Sequence, residues 1–260
     1  MTELSLPRGL SGGAVRDWAD LASPTSTSEP TPFSVDATAG LPEPVRRWLA
    51  RSVAGGTPVA RAVELRMHGE IFLGRWSPFT AMQRLSVTGG FVWAATAHLL
   101  GLTIRGFDRW THGSGEMRWR LFGAVPLVSA TGADITRSAA GRHAGELLVA
   151  LPTAALAPEV GWRPVDDGRA VATVEVANGR HEVTITVGAD GALTELAMQR
   201  WGPLGRGAFG ERPFGATFDG ELAGAGLRVP RHVTAGYGFG TDRWVQEQFI
   251  RWTVDDLRLR

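Results

Sequence analysis

The chain has 260 residues, 43% of them apolar and 20% charged, with a formal net charge of +1. Cysteine is absent, and all 27 basic residues are arginine, because no lysine occurs. These counts exclude disulfides, thiolate metal sites, cysteine nucleophiles, lysine Schiff bases and a phosphate-loop lysine, and the balanced charge gives no basic surface for nucleic acid.

The N-terminal residues lack the apolar core of an export signal, and no apolar run reaches ~20 residues. No membrane span is therefore expected, and cytoplasmic residence is the default. Residues 1–38 read as a flexible arm, because the Ser/Thr/Pro-rich tract over 22–32 buries too little apolar surface to fold alone. Within the arm, residues 14–21 predict one short helix with Val15, Trp18 and Leu21 on a shared face. Residues 39–260 read as a single domain. It opens with a helix over 41–53, where Pro42 and Pro44 suit the first turn and Val45, Trp48 and Leu49 line one side. Gly55-Gly56-Thr57-Pro58 ends that helix.

From Val59 onward the hydrophobic period is two, the signature of strands. Met117, Trp119 and Leu121 alternate with Glu116, Arg118 and Arg120, Val183, Ile185 and Val187 with Glu182, Thr184 and Thr186, and Ile250, Trp252 and Val254 with Phe249, Arg251 and Thr253. About eleven strands are predicted, near 62–73, 79–87, 91–99, 102–111, 115–122, 169–177, 181–187, 192–200, 213–222, 227–238 and 244–259. Asp167-Gly168, Asn178-Gly179 and Asp190-Gly191 supply turns between them. The one interruption is a helix over 134–151, in which Ile135, Ala139, His143, Leu147 and Leu151 recur every four residues. Thr131 and Asp134 have the spacing of a capping box. The lean Ser138-Ala139-Ala140-Gly141 and Ala144-Gly145 steps suit close approach to a sheet. The fold expected is mainly β: a long curved antiparallel sheet, a half-barrel of about eleven strands, wrapped around a central helix, with a short N-terminal helical segment. An inner face wider than its helix leaves a cavity.

A set of short motifs in order adds a family signal. They are Gly40-Leu41-Pro42-Glu43-Pro44-Val45, Pro78-Phe79-Thr80-Ala81-Met82-Gln83, Ile104-Arg105-Gly106-Phe107-Asp108, Arg137-Ser138-Ala139-Ala140-Gly141-Arg142 and Met198-Gln199-Arg200-Trp201. Together they resemble a bacterial domain family of unknown function over roughly 40–260. The strand–helix–strand order is similar, more distantly, to the half-barrel of the Lol-type lipoprotein carriers. That resemblance implies an incomplete barrel that covers a helix and holds an acyl chain or another hydrophobic molecule. It also implies a few enzyme relatives acting on aromatic or polyketide-like metabolites, and it transfers no catalytic residue. The chain departs from the carriers in lacking an export signal and a lipid-anchor cysteine.

Trp93, Trp110 and Trp119 fall on successive strands and are read as the wall of a pocket, with ordinary core packing as the competing reading. His98, Arg105, Asp108, His112 and Glu116 spread over three neighbouring strands. Asp108 shares the parity of apolar neighbours, so it is either paired in the interior, with Arg118 or Arg200, or turned toward a cavity as a general acid/base. Glu116 and Arg105 complete the catalytic candidates. His98, Glu146 beside Arg142, and Arg200 are further ligand-binding candidates, Arg200 as a clamp for a ligand carboxylate. Gly205-x-Gly207-x-x-Gly210 runs into Glu211-Arg212-Pro213 instead of a helix, which removes a dinucleotide site. The six histidines show no metal spacing, so neither a metal nor another cofactor is expected. The function expected is binding of a lipid, polyketide or isoprenoid-type molecule. The alternative is a cofactor-independent cyclase or isomerase using the same cavity.

Overall fold

In the computed structural model, which describes residues 6–22, 30–176 and 179–260, the chain begins with two short helices. Helix α1 (Gly12–Asp20) starts at Ser11, whose hydroxyl accepts from the Ala14 N–H. Its buried stripe is Ala14, Asp17, Trp18 and Leu21, while Val15 is only half-buried. Asp17 takes that inner position because Arg109 and Thr111 of the sheet hold its carboxylate. Helix α2 (Glu43–Ser52) carries Pro44 in its first turn and buries Val45, Trp48 and Leu49, as the periodicity predicts.

The sheet then grows outward as a meander: β1 (Ala62–Phe72), β2 (Trp76–Ser86), β3 (Gly90–Leu99), β4 (Leu102–Thr111), β5 (Ser114–Leu121) and β6 (Val125–Ala130). Helix α3 (Ala133–Ala150) carries the chain across the concave face to the opposite edge. A second meander returns to the centre through β7 (Val160–Pro164), β8 (Arg169–Val176), β9 (Gly179–Val187), β10 (Leu193–Gly205), β11 (Ala208–Gly224) and β12 (Leu227–Tyr237). A one-turn helix, α4 (Trp244–Glu247), precedes β13 (Gln248–Leu259), which pairs with β1 and joins the halves. The result is one antiparallel sheet of thirteen strands, ordered β6-β5-β4-β3-β2-β1-β13-β12-β11-β10-β9-β8-β7. Register slips at Arg66/Met67, Trp119/Arg120, Leu193/Glu195 and Ala235/Gly236 supply bulges, and bulges bend and twist a sheet into a trough.

The mainly-β half-barrel around a central helix is thus what the structure shows, with two strands more than the pattern predicts. Both additions are edges. β6 reads Val-Pro-Leu-Val-Ser-Ala with hardly a buried position, so it has no inward and outward alternation to detect. Pro126, which lacks an N–H, is tolerated there because an edge leaves donors unpaired. β7 has five residues and a single fully buried one. Several boundaries also need correction. β10 runs on to Gly205 instead of ending at 200, β11 starts at Ala208 instead of 213, and the strand expected from 244 begins at 248, after α4. The capping box is not formed: Gly132, at φ 103°, is the N-cap of α3, with no side-chain cap bond. In the first turn of α3 the Thr136 hydroxyl accepts from the Gly115 N–H of β5. Of the Asn178-Gly179 turn, Asn178 lies outside the described residues.

Candidate functional site

Strand parity decides what faces the trough. On β1, Leu65, Met67 and Ile71 point inward while Arg66, His68 and Glu70 point outward; on β13, Ile250, Trp252 and Val254 do the same against Arg251 and Thr253. α3 fills only part of this concavity. Its N-terminal turn touches β5 at Gly115, where a Cβ would lie 2.7 Å from the Thr136 Cα, so a larger residue would push the helix out. Further along, Gly145 faces Met198 and Leu196 of β10. Between α3 and the strands β1 and β10–β13 remains a cavity of about 380 Å³, within the lower range of small-molecule sites. Most of its wall is apolar: Leu65, Val254, Trp252, Phe218 and Phe214 form one side.

Four charged side chains also line it, namely Asp108, Arg142, Glu146 and Arg200. Three are tied together. Arg142 Nη1 lies 2.9 Å from Asp108 Oδ2, and its Nε lies 2.7 Å from Glu146 Oε1, one helical turn away. The Trp119 indole N–H donates to Asp108 Oδ1 at 3.2 Å, and the Gln83 amide donates to Glu146 Oε2 at 2.6 Å. The guanidinium of Arg142 also lies over the rings of Phe91 (4.8 Å) and Trp93 (5.1 Å). Burial pushes the Asp108 carboxyl above the usual carboxylate range, against the pull of Arg142 and the Trp119 N–H. Burial also opposes the charge on Arg142, but Glu146 and Asp108 overcome it and hold that guanidinium more basic than usual.

Arg200 differs. Its Nε donates to the Ser138 carbonyl at 3.3 Å, and its guanidinium lies 4.8 Å from the Phe214 ring and 5.9 Å from that of Tyr237. Among the described residues it forms no ion pair and its terminal nitrogens make no hydrogen bond. Burial lowers its pKa, and the repulsion from Arg142 adds to the effect.

The structure thus brings together Trp93, Asp108, Glu146 and Arg200 at the cavity, with Trp119 behind Asp108 and its ring centroid 5.7 Å from that of Trp93. Asp108 finds Arg142 as its partner instead of Arg118 or Arg200. Trp110 sits elsewhere, stacked at 5.3 Å on His143, and lines a separate open groove of about 1050 Å³ beside Arg137 and His181. The five-residue cluster does not assemble. Arg105, Glu116 and His98 have the opposite parity to Asp108 and Trp93 and lie on the convex face; His112 occupies the β4–β5 turn. Glu116 is buried there between Arg109 and Arg118, beneath α1. Sequence reasoning missed Gln83, although it shares the inward parity of Ala81 and Leu85, the signal that marks Asp108. Among the described residues, no helix is long and apolar enough to cross a membrane.

Residues 31–249 match a family of unknown function, DUF6544. The chain belongs to that family. No protein of curated function matches the sequence of this DUF6544 member. Among solved structures it is similar to a putative outer membrane lipoprotein-sorting protein domain from Vibrio parahaemolyticus, at 8% identity and a TM-score of 0.43, covering 84% of this chain and 91% of the other. A LolA superfamily protein from Nitrosomonas europaea gives 8% identity, a TM-score of 0.42 and coverage of 77% and 86%. A DUF1329 family protein from Desulfovibrio piger gives 10%, 0.41, 77% and 86%.

Proposed function

We propose that this DUF6544 protein binds a hydrophobic small molecule, of lipid, polyketide or isoprenoid type, in the trough between α3 and the sheet. The observation that carries this reading is the cavity of about 380 Å³ between α3 and the sheet, apolar along β1, β11 and β13. Interiors pack to crystal-like density, so an unfilled space of this size is a costly feature unless a guest occupies it. At ~30 Å³ per non-hydrogen atom, the volume of a liquid water, it takes a guest of about a dozen such atoms. Organic extraction of the purified protein followed by mass spectrometry tests the reading. The expected result is an apolar compound, or saturable uptake of decan-1-ol, that disappears when Ala235→Phe fills the cavity. An interior that yields no compound and takes up no alcohol would refute it.

One observation favours a second reading, catalysis of a cyclisation or isomerisation: the Asp108 carboxyl, raised in pKa by burial, faces the same space. Asp108→Asn separates the two. A binding protein keeps its guest, whereas an acid/base enzyme loses turnover.

A further inference from the structure

Of the four charges that line the cavity, three satisfy one another and the fourth does not. Asp108, Arg142 and Glu146 form a closed chain of ion pairs, finished by the Trp119 and Gln83 donors. Arg200 lines the same cavity from β10, held by a single carbonyl and two aromatic rings, and its terminal nitrogens have no hydrogen-bond partner among the described residues. A guanidinium offers five donors, and a planar fork of them matches a carboxylate or phosphate better than it matches any neutral group. Leaving such a fork unpaired inside an apolar space costs free energy that an anion arriving with the guest recovers.

We propose, building on the cavity-binding reading, that the guest is an anionic amphiphile. Its acid group pairs with Arg200, and its apolar tail lies along Phe214, Phe218, Trp252 and Val254 toward the centre of the sheet. The orientation follows from the wall: the charged groups gather where α3 meets β4 and β10, and the remaining surface toward β1 and β13 is hydrocarbon. The volume suits a chain of about ten carbons with its head group. With all four side chains ionised the cluster sums to zero, so no net negative charge opposes an acid group at Arg200.

Calorimetric titration of the full-length protein with decanoate and with decan-1-ol tests the assignment. The wild type is expected to bind decanoate at least tenfold more tightly than the alcohol. Arg200→Gln is expected to remove that preference while leaving the alcohol affinity within twofold; Arg200→Lys should retain part of it. Asp108→Asn, which removes a negative charge at constant shape, should tighten decanoate severalfold. Equal affinities of the wild type for acid and alcohol would overturn the Arg200 assignment and leave the cavity reading standing. So would an Arg200→Gln variant that still prefers the acid. Failure of both probes to bind would instead overturn the cavity reading itself, and this assignment with it.

Discussion

The two faces of the sheet carry buried charges of opposite character. On the convex face, Glu64 is fully buried and takes Arg84 at 2.6 Å and Arg260 at 3.0 Å; nearby, Asp17 and Glu116 hold Arg109 under α1. Every one of those carboxylates has an arginine, and a helix or a chain terminus covers it. On the concave face the ion pairs are as short, but empty space borders them and one arginine is left over. Burial of charge alone therefore does not mark function here. A surplus charge beside an unfilled volume does.

Removing a charge from each face breaks or sharpens that contrast. Glu64→Ala leaves two guanidinium groups without their carboxylate, and loss of one partner from a buried pair costs about 4 kcal/mol. Urea unfolding should show that loss while decanoate affinity stays the same. The mirror variant, Arg200→Gln, should change stability by less than about 1 kcal/mol, because it removes a charge that had no partner, yet it should abolish acid preference. If both variants behaved alike, the distinction between the faces would fall.

A slightly smaller effect concerns pH. His143 is buried between Phe91 and Trp110, neither ring nitrogen makes a hydrogen bond of normal geometry, and burial lowers its pKa from 6.5 to about 4. Between those values the unfolded chain binds the proton and the folded one does not, so stability falls as pH drops from 6.5 toward 4. The integrated loss is roughly 3 kcal/mol at most. His143→Phe, which keeps the ring stack, should flatten that part of the pH profile in thermal unfolding; an unchanged slope would show that other groups carry it.

Filling the cavity comes next. Ala235→Phe adds a ring to the wall, and an overpacked core typically loses about 2 kcal/mol, whereas a truly empty space absorbs the ring for less. Binding of decan-1-ol should drop at least tenfold. The smallest effect is expected at Gly145, where a Cβ would meet Met198 and Leu196 at ordinary distances of 3.5 and 3.6 Å. Gly145→Ala should raise stability by about 1 kcal/mol through helix propensity, with little change in affinity.

Parity made much of this site legible. Trp93, Asp108 and Trp119 are placed on the inner face by alternation alone, and Glu146 beside Arg142 follows from helical spacing. Alternation was equally able to place Arg105, Glu116 and His98 outside, because they sit on the opposite parity of the same strands. Proximity in sequence pulled them into one cluster, but a strand sends neighbours to opposite faces. The pairing of Asp108 with Arg142 depends on how far α3 descends into the trough, a matter of tertiary packing that no local pattern encodes. The edges escaped for a different reason: β6 and β7 are nearly uncovered, so burial imposes no period on them. The docked position of α1 likewise rests on long-range contacts, Ala14 with Phe107 and Trp18 with Val92, which its short amphipathic stripe cannot specify.

The central claim is that α3 leaves room for a guest. A crystal soaked with 10-bromodecanoic acid tests it most directly, because the anomalous signal of bromine fixes the tail while the density shows the carboxylate. The account predicts one bromine among Leu65, Trp252 and Val254, with the acid group on Arg200. Bromine found only on the outer surface, around a trough closed by its own side chains, would contradict it.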